Sequence, residues 1–317
     1  MNPLKSNQIS DTGIRISSLG VGGAPFGHNY QWSQGSDVSS STAASAISKA
    51  IEFGLNYFDT APGYGYGQSE RFYGDFFPNL KRSQFVISSK VGNLILIDKN
   101  SSQLYAKKDY SKDGILRSIE QSLNRLKLDY LDIAFVHDPD EHMQQAIEES
   151  FPTLHDLKSQ GVVRAIGAGM NYCEPLIHFA KEVDLDCFLI AGRYTLLDQS
   201  ASAELFPICL KKNISLILGG PYNSGILADP NLDVNSTYFY KKTPQDILEK
   251  TRLIKDVCDR QNVPIKAAAL QFGLMNPAVT SVIPGVRSVN ELIENFEMMS
   301  FDIYSQFWDE LRFEGLI

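Results

Sequence analysis

Phe85-Val86-Ile87-Ser88-Ser89-Lys90, then Ile115-x-x-x-Ile119-x-x-x-Leu123-x-x-Leu126, then Ile133-Ala134-Phe135-Val136-His137 read in order as strand, helix, strand. The outer two are short apolar runs. Runs that are nonpolar on both alternations belong to strands covered on both faces of a parallel sheet. The middle segment lays its apolar residues along one stripe, as a helix packed on such a sheet requires. The same unit recurs on either side. Further apolar runs lie at residues 19–24, 57–60, 165–168, 188–191, 216–219 and 282–284, and residues 43–53 carry a second helical stripe. Ser41, Thr42, Ser111, Asp113 and Thr243 stand where helix caps are expected. About eight strand–helix units in this length predict a (β/α)8 barrel. Residues 4–16, with Asp11-Thr12-Gly13 as the turn, predict a short N-terminal hairpin, and a C-terminal helical extension follows the last strand. Neither linker nor fixed repeat interrupts the pattern, so residues 1–317 are expected to form one domain. A doubly wound dinucleotide fold would favour an early G-x-G-x-x-G. Gly20-Val21-Gly22 runs into Pro25 instead, and Gly65-Tyr66-Gly67 runs into Glu70.

Composition removes several function classes. The 317 residues carry 29 Lys+Arg against 37 Asp+Glu, a formal net charge of −8. The longest basic runs are Lys107-Lys108 and Lys211-Lys212, too little to displace counterions from a nucleic acid or an anionic membrane. Cys173, Cys187, Cys209 and Cys258 form no C-x-x-C pair and read as free thiols in a reducing compartment. The segment Met1-Asn2-Pro3-Leu4-Lys5 opens no long apolar run, and no uncharged stretch reaches the ~18–20 residues of a membrane span. A cytoplasmic location is the expectation.

In such barrels the working residues sit at the C-terminal ends of the strands. Those ends offer Asp59 and, just beyond, Tyr64 after the second strand, Lys90 after the third and His137 after the fourth. Singly, each has a plain structural role: a rim ion pair, a packed loop aromatic, a satisfied core histidine. The run His137-Asp138-x-Asp140-Glu141-His142 has the composition of a metal-ligand cluster. Companion histidines at other strand ends are missing, so no metal is expected, and Asp138, Asp140, Glu141 and His142 read as a solvated loop.

Phe58-Asp59-Thr60-Ala61-x-x-Tyr64-Gly65 with Ser69-Glu70, then Lys90, then His137, resembles the aldo-keto reductase superfamily. The resemblance covers nearly the whole chain, including Gly161-Val162-Val163-Arg164-Ala165-Ile166-Gly167 and Ile283-Pro284-Gly285 through Glu294-Asn295. Val136-His137-Asp138-Pro139-Asp140, the stretch from Gly192 to Ser200 and that from Gly220 to Leu227 are similar to one branch. That branch holds D-threo-aldose 1-dehydrogenases (L-fucose dehydrogenases), L-galactose dehydrogenases and pyridoxal 4-dehydrogenases. The resemblance implies oxidation of an aldose of the L-fucose, L-galactose or D-arabinose type at C1 to the lactone, with a nicotinamide dinucleotide taking the hydride. Pyridoxal or another small alcohol or aldehyde is the alternative substrate. A cofactor-bound regulatory subunit is the alternative from another class. The expected partner is a small sugar, with no nucleic acid or membrane, for a monomer or homodimer.

The chemical roles follow from physical arguments. Removing a hydride from an alcohol requires a proton acceptor, and free tyrosine, with a pKa of about 10, is a poor one near neutrality. Lys90 beside Tyr64 is expected to lower that pKa, Asp59 to hold Lys90, and His137 to fix the reacting oxygen.

The resemblance also implies the cofactor contacts. Gly23 is among them, and Asn171 matches the residue that binds the nicotinamide carboxamide. Met170, Ala191 and Gly219 stand where a serine, a glutamine and a stacking aromatic are usual, with Tyr222, Arg193 or Trp32 as replacements for the last. Pro221, Tyr222, Asn223, Ser224, Gly225 and Leu227 are expected to cover the pyrophosphate. Ile283, Pro284, Gly285, Arg287, Glu291, Glu294 and Asn295 are expected at the adenosine end. Gly285 and Glu291 replace the lysine and arginine common in NADP-preferring relatives, so NAD is predicted; Arg287 leaves NADP as a second option. Lys90 and Arg287 are expected to make the mouth locally positive. His28, Tyr30, Trp32 and Arg193 are candidate substrate contacts, and Phe307 and Trp308 candidate sugar-stacking rings.

Overall fold

The computed structural model describes residues 1–27, 38–229 and 236–317. It opens with the expected hairpin, β1 (Ser6–Gln8) antiparallel to β2 (Arg15–Ser17). The barrel begins with β3 (Val21–Gly22), α1 (Ser40–Glu52), β4 (Tyr57–Asp59), α2 (Gln68–Phe76) and β5 (Val86–Val91). An antiparallel ladder, β6 (Asn93–Ile97) with β7 (Leu104–Lys108), then stands off the barrel before α3 (Lys112–Leu126). After β8 (Leu131–His137), a single turn α4 (Met143–Gln145) runs through a π turn into α5 (Phe151–Ser159). There follow β9 (Val163–Met170), α6 (Cys173–Glu182), β10 (Cys187–Ala191), α7 (Leu205–Lys212) and β11 (Ser215–Gly219). A two-residue ladder, β12 (Thr237–Tyr238) with β13 (Lys241–Lys242), precedes α8 (Gln245–Arg260), α9 (Ile265–Gly273) and β14 (Val279–Ile283). Helices α10 (Val289–Ser300) and α11 (Ser305–Phe313) end the chain.

Eight strands pair in parallel in the order β14-β11-β10-β9-β8-β5-β4-β3. The sheet closes on itself: Gly20 N donates to Val282 O (3.0 Å) and Gly22 N to Pro284 O (2.9 Å). This is the (β/α)8 barrel that the strand count predicts. All six residues of β5 and all five of β11 and β14 are buried, as strands sandwiched between a packed interior and a helical coat must be.

The hairpin decides which end of the barrel stays open. Ile9, Ile14 and Ile16 join the inward residues Tyr57, Val86, Ile133, Phe135, Cys187 and Ile217 in one apolar cluster. Each buried isoleucine contributes roughly 1.5–3 kcal/mol. The hairpin therefore plugs the N-terminal end of the strands and leaves the C-terminal end for chemistry. Among the described residues no helix is long and apolar enough to cross a membrane.

Two local expectations shift. Helix α1 is capped by Ser39, whose Oγ accepts from Thr42 N (3.1 Å), two to three residues before Ser41 and Thr42. Ser111 caps α3 as expected, whereas Pro244 holds the cap position of α8 and the Thr243 hydroxyl donates to Ser236 O (2.6 Å). Phe307 and Trp308 are not at the mouth. Both are buried with Ile254, Val257 and Phe272, where α11 packs on α8 and α9, so they are packing residues.

Candidate active site

Tyr64 reaches the mouth because of a tight loop after β4. Tyr64 N donates to Ala61 O (3.1 Å) and Gly67 N to Pro62 O (2.7 Å). Gly65, Tyr66 and Gly67 are successively left-handed (φ 63°, 51° and 81°), a conformation glycine adopts without strain. Ser69 and Glu70, quoted above only as part of a motif, turn out to tether this loop. The Ser69 hydroxyl donates to Gly23 O (2.8 Å) and accepts from Thr60 (2.8 Å). Glu70 is fully buried, accepts from Ser89 (2.7 Å) and pairs with Arg125 (2.6 Å), locking α2 to β5 and α3.

At the strand ends the four chemistry-bearing residues converge. Lys90 Nζ donates to Asp59 Oδ2 (2.8 Å) and to Thr60 O (2.9 Å), and it lies 4.7 Å from the centre of the Tyr64 ring. Asp59 Oδ1 accepts from Ser88 Oγ (2.6 Å), which meets Tyr57 OH inside the barrel (3.0 Å). The Tyr64 and His137 rings stand edge to face, 6.3 Å apart. The expectation that Lys90 lowers the Tyr64 pKa does not hold in this state. Burial first, and the Asp59 carboxylate next, push the phenol well above its ordinary value. Lys90 faces the ring and is paired with Asp59, so the carboxylate offsets its field at the hydroxyl. Tyr64 rests as a protonated phenol.

His137 rests neutral. Burial, and then the neighbouring Lys90, push its pKa down to about 3. Asn93, at the start of the β6–β7 ladder, places its amide Nδ2 3.3 Å from His137 Nδ1. An amide nitrogen can only donate, so Nδ1 accepts and the ring proton sits on Nε2. His137 is thus a neutral donor. In the reductive direction kcat/KM should stay flat from pH 5 to 8, and a limb near pH 6.5 would show that His137 titrates there. The unfolded histidine binds its proton near 6.5 and the folded one only near 3, so acid below about pH 6.5 withdraws stability through this residue.

These groups face a cavity of about 610 Å³ at the C-terminal mouth, within the range of small-molecule sites. Of the cofactor residues expected from the sequence, Asn171, Gly219, Pro221, Tyr222, Ser224, Gly225, Ile283, Gly285, Arg287, Glu291, Glu294 and Asn295 line it. Four do not. Gly23 packs against the barrel, where a Cβ would lie 2.7 Å from Asp59 O and 2.8 Å from Tyr73. Asn223 and Leu227 are buried and do not line the cavity, and Pro284 takes its place in the ring closure. Arg193 is also not a lining residue. Its guanidinium stacks on Phe239 and Tyr172, pairs with Asp198 (3.1 Å) and donates to the Asn171 carbonyl (2.7 Å), so it positions Asn171 from behind. His28, Tyr30 and Trp32 lie outside the described residues. Of the aromatic replacements named above, Tyr222 lines the cavity, with its hydroxyl donated to Asn295 Oδ1 (2.7 Å). That bond leaves Asn295 Nδ2 buried without a partner, a donor that suits an adenine nitrogen of a dinucleotide laid along this wall.

The charge of the mouth differs from expectation. Among the described residues the lining carries five carboxylates against three cations, and each cation is paired. Lys90 meets Asp59; Lys266 meets Glu294 (2.7 Å); Arg287 meets Glu291 through its guanidinium (2.8 Å) and its backbone N–H (2.8 Å). The mouth is therefore not locally positive. Lys266, at the start of α9, and Asn93 carried no motif signal. Asp138 was read as solvated loop, yet it lines the cavity beside His137. No group of three or more His, Cys, Asp or Glu among the described residues is arranged to hold a metal.

Comparison with known proteins identifies the family. The model of the aldo/keto reductase family matches residues 18–312. The chain is 35% identical to a pyridoxal 4-dehydrogenase of Microbacterium luteolum, over 98% of this chain and 97% of that one. It is 33% identical to a D-threo-aldose 1-dehydrogenase of a Pseudomonas species, over 96% of each. Among solved structures, the holo form of an aldo-keto reductase from Bacillus halodurans superposes with a TM-score of 0.79 at 22% identity, covering 98% of this chain and 95% of that one.

Proposed function

The chain belongs to the aldo/keto reductase family, and from that premise we propose that it oxidises an aldose at C1 to the lactone and passes the hydride to NAD. As a member of the family it is an oxidoreductase that uses a nicotinamide cofactor. The observation that carries the finer reading is the company Tyr64 keeps: a buried Lys90–Asp59 pair under its ring and a neutral donor, His137, at its edge, on a cavity rich in carboxylates. Asp138, whose carboxylate lines the cavity beside His137, is a strong acceptor for a sugar hydroxyl. Relatives that act on a D-threo-aldose and on pyridoxal support a cyclic hemiacetal as the reacting form.

A nicotinamide dinucleotide held along 219–225 and 283–295 would supply the hydride acceptor. The protein does the rest. His137 donates Nε2–H to the reacting oxygen and fixes its position. Tyr64 exchanges the hydroxyl proton, receiving it in oxidation as phenolate and giving it in reduction as phenol. Because burial raises the Tyr64 pKa, oxidation gains with rising pH while reduction starts from the resting state. A spectrophotometric screen of NAD and NADP reduction over an aldose panel with pyridoxal tests the reading. An aldose with NAD is expected to give the highest kcat/KM. Pyridoxal ahead of every aldose would favour the pyridoxal reading, and no activity on either class would sink both.

NAD preference is supported by the adenosine end, where Glu291 and Glu294 offset Arg287 and Lys266. A 2′-phosphate would meet two carboxylates and no unpaired cation. Glu291→Gln should release Arg287 and raise the NADP/NAD ratio of kcat/KM by about tenfold, a change of about 1.4 kcal/mol. An unchanged ratio would remove Glu291 from the argument. Gly285→Lys is a poor probe, because a Cβ there would lie 2.9 Å from Pro25.

A further inference from the structure

We propose that Asp138 reads a second hydroxyl on the substrate, the one vicinal to the reacting oxygen, and so selects 2-hydroxylated hemiacetals and aldehydes over their deoxy counterparts. The inference rests on the oxidoreductase reading above and deepens it.

Asp138 is fixed by its backbone. Its backbone is left-handed (φ 43°), a conformation that aspartate tolerates better than most residues with a side chain. Three contacts enforce it. Asp138 N donates to Gly169 O (3.1 Å), while its carbonyl accepts from Tyr110 OH (2.8 Å) and Lys108 Nζ (3.3 Å). The result is a carboxylate turned into the cavity beside Tyr64, Lys90 and His137. Among the described residues its oxygens have only long partners. Oδ2 is 3.6 Å from His137 Nε2, and Oδ1 is 3.4 Å from the Asn171 amide. An ionised carboxylate has about four acceptor sites, so much of its capacity remains for a ligand.

The position of Oδ2 defines what that ligand must carry. His137 Nε2 holds the reacting oxygen, and Asp138 Oδ2 lies 3.6 Å from that nitrogen. The two oxygens of a gauche 1,2-diol are separated by about one hydrogen-bond length. A vicinal hydroxyl can therefore donate to Asp138 while its neighbour sits on His137 and Tyr64. The electrostatics sharpen the choice. Negative charge develops on the reacting oxygen during oxidation, and a bare carboxylate beside it is repulsive. A hydroxyl proton placed between them turns that repulsion into a charge-assisted hydrogen bond. A deoxy substrate loses the bond and keeps the repulsion.

The test compares matched pairs on the wild type and on Asp138→Asn: L-fucose against 2-deoxy-L-fucose in oxidation, and lactaldehyde against propanal in reduction. The wild type should favour the hydroxylated member by at least about tenfold in kcat/KM, and the variant should bring both ratios to within about threefold of unity. A variant that merely disturbed His137 would lower both members of a pair by the same factor, so the ratio separates hydroxyl reading from a structural role. Unchanged ratios in Asp138→Asn, or no preference in the wild type, overturn the inference. If neither aldose is oxidised but the lactaldehyde/propanal ratio collapses in the variant, the sugar reading fails and the role of Asp138 stands. Turnover of neither pair sinks both.

Discussion

Tyr64→Phe is expected to lower kcat by roughly 10²–10⁴-fold, the usual worth of a positioned acid–base group, while dinucleotide affinity changes less than about twofold. The substitution is clean in this site. The Tyr64 ring is buried and carries Lys90 on its face at 4.7 Å and His137 at its edge. Phenylalanine keeps both contacts and removes the hydroxyl, the group proposed above to exchange the proton. The cavity-lining residues at 219–225 and 283–295 lie beyond other strands and should not register the change. Single-turnover kinetics with a fluorescence titration of NADH separate the two effects. Near-wild-type turnover would mean that another group moves the proton. His137, with its pKa pushed down to about 3, is poorly suited to take that place as a base near neutrality.

The contrast between Tyr64 and its neighbours shows which parts of such a site a sequence can carry. Asp59, Tyr64, Lys90 and His137 were legible because each ends or closely follows an apolar run, and the strand period alone brings those ends to one rim. The eight strands were legible for the same reason, to within a few residues. What depends on side-chain direction was not. Arg193 sits in a plausible loop after β10, yet its guanidinium turns away from the cavity to hold the Asn171 carbonyl. Gly23 belongs to a glycine-rich strand end, yet its missing side chain makes room for Asp59 and Tyr73 rather than for a ligand. Lys266 comes from a helix on the barrel's outer layer, and its pairing with Glu294 joins residues 28 positions apart. Asp138 looked like part of a solvated acidic loop until its left-handed backbone turned it inward. Charge was the least legible quantity. The cations Lys90 and Arg287 were visible, but their partners at the mouth cancel them, and pairing is a property of the fold.

Lys90→Met should cost both activity and stability, and the two losses are separable. Lys90 and Asp59 are each almost fully buried, with side chains 2% and 3% exposed. Among the described residues, removing the ammonium leaves the Asp59 carboxylate inside the barrel with only the Ser88 hydroxyl donating to it. Breaking such a pair from one side typically costs about 3–5 kcal/mol, because the remaining charge has lost its compensation. Denaturant unfolding should report a loss of that size. The double variant Lys90→Met, Asp59→Asn removes the stranded charge as well, so most of that stability should return, since replacing a buried pair by neutral groups is often close to neutral. Activity should not return, because the cation beneath Tyr64 is absent in both. Recovery of stability without turnover would assign the pair to catalysis rather than to holding the barrel together. If the single variant is as stable as the wild type, Asp59 is not an uncompensated buried charge there, and its role in holding Lys90 must be redrawn.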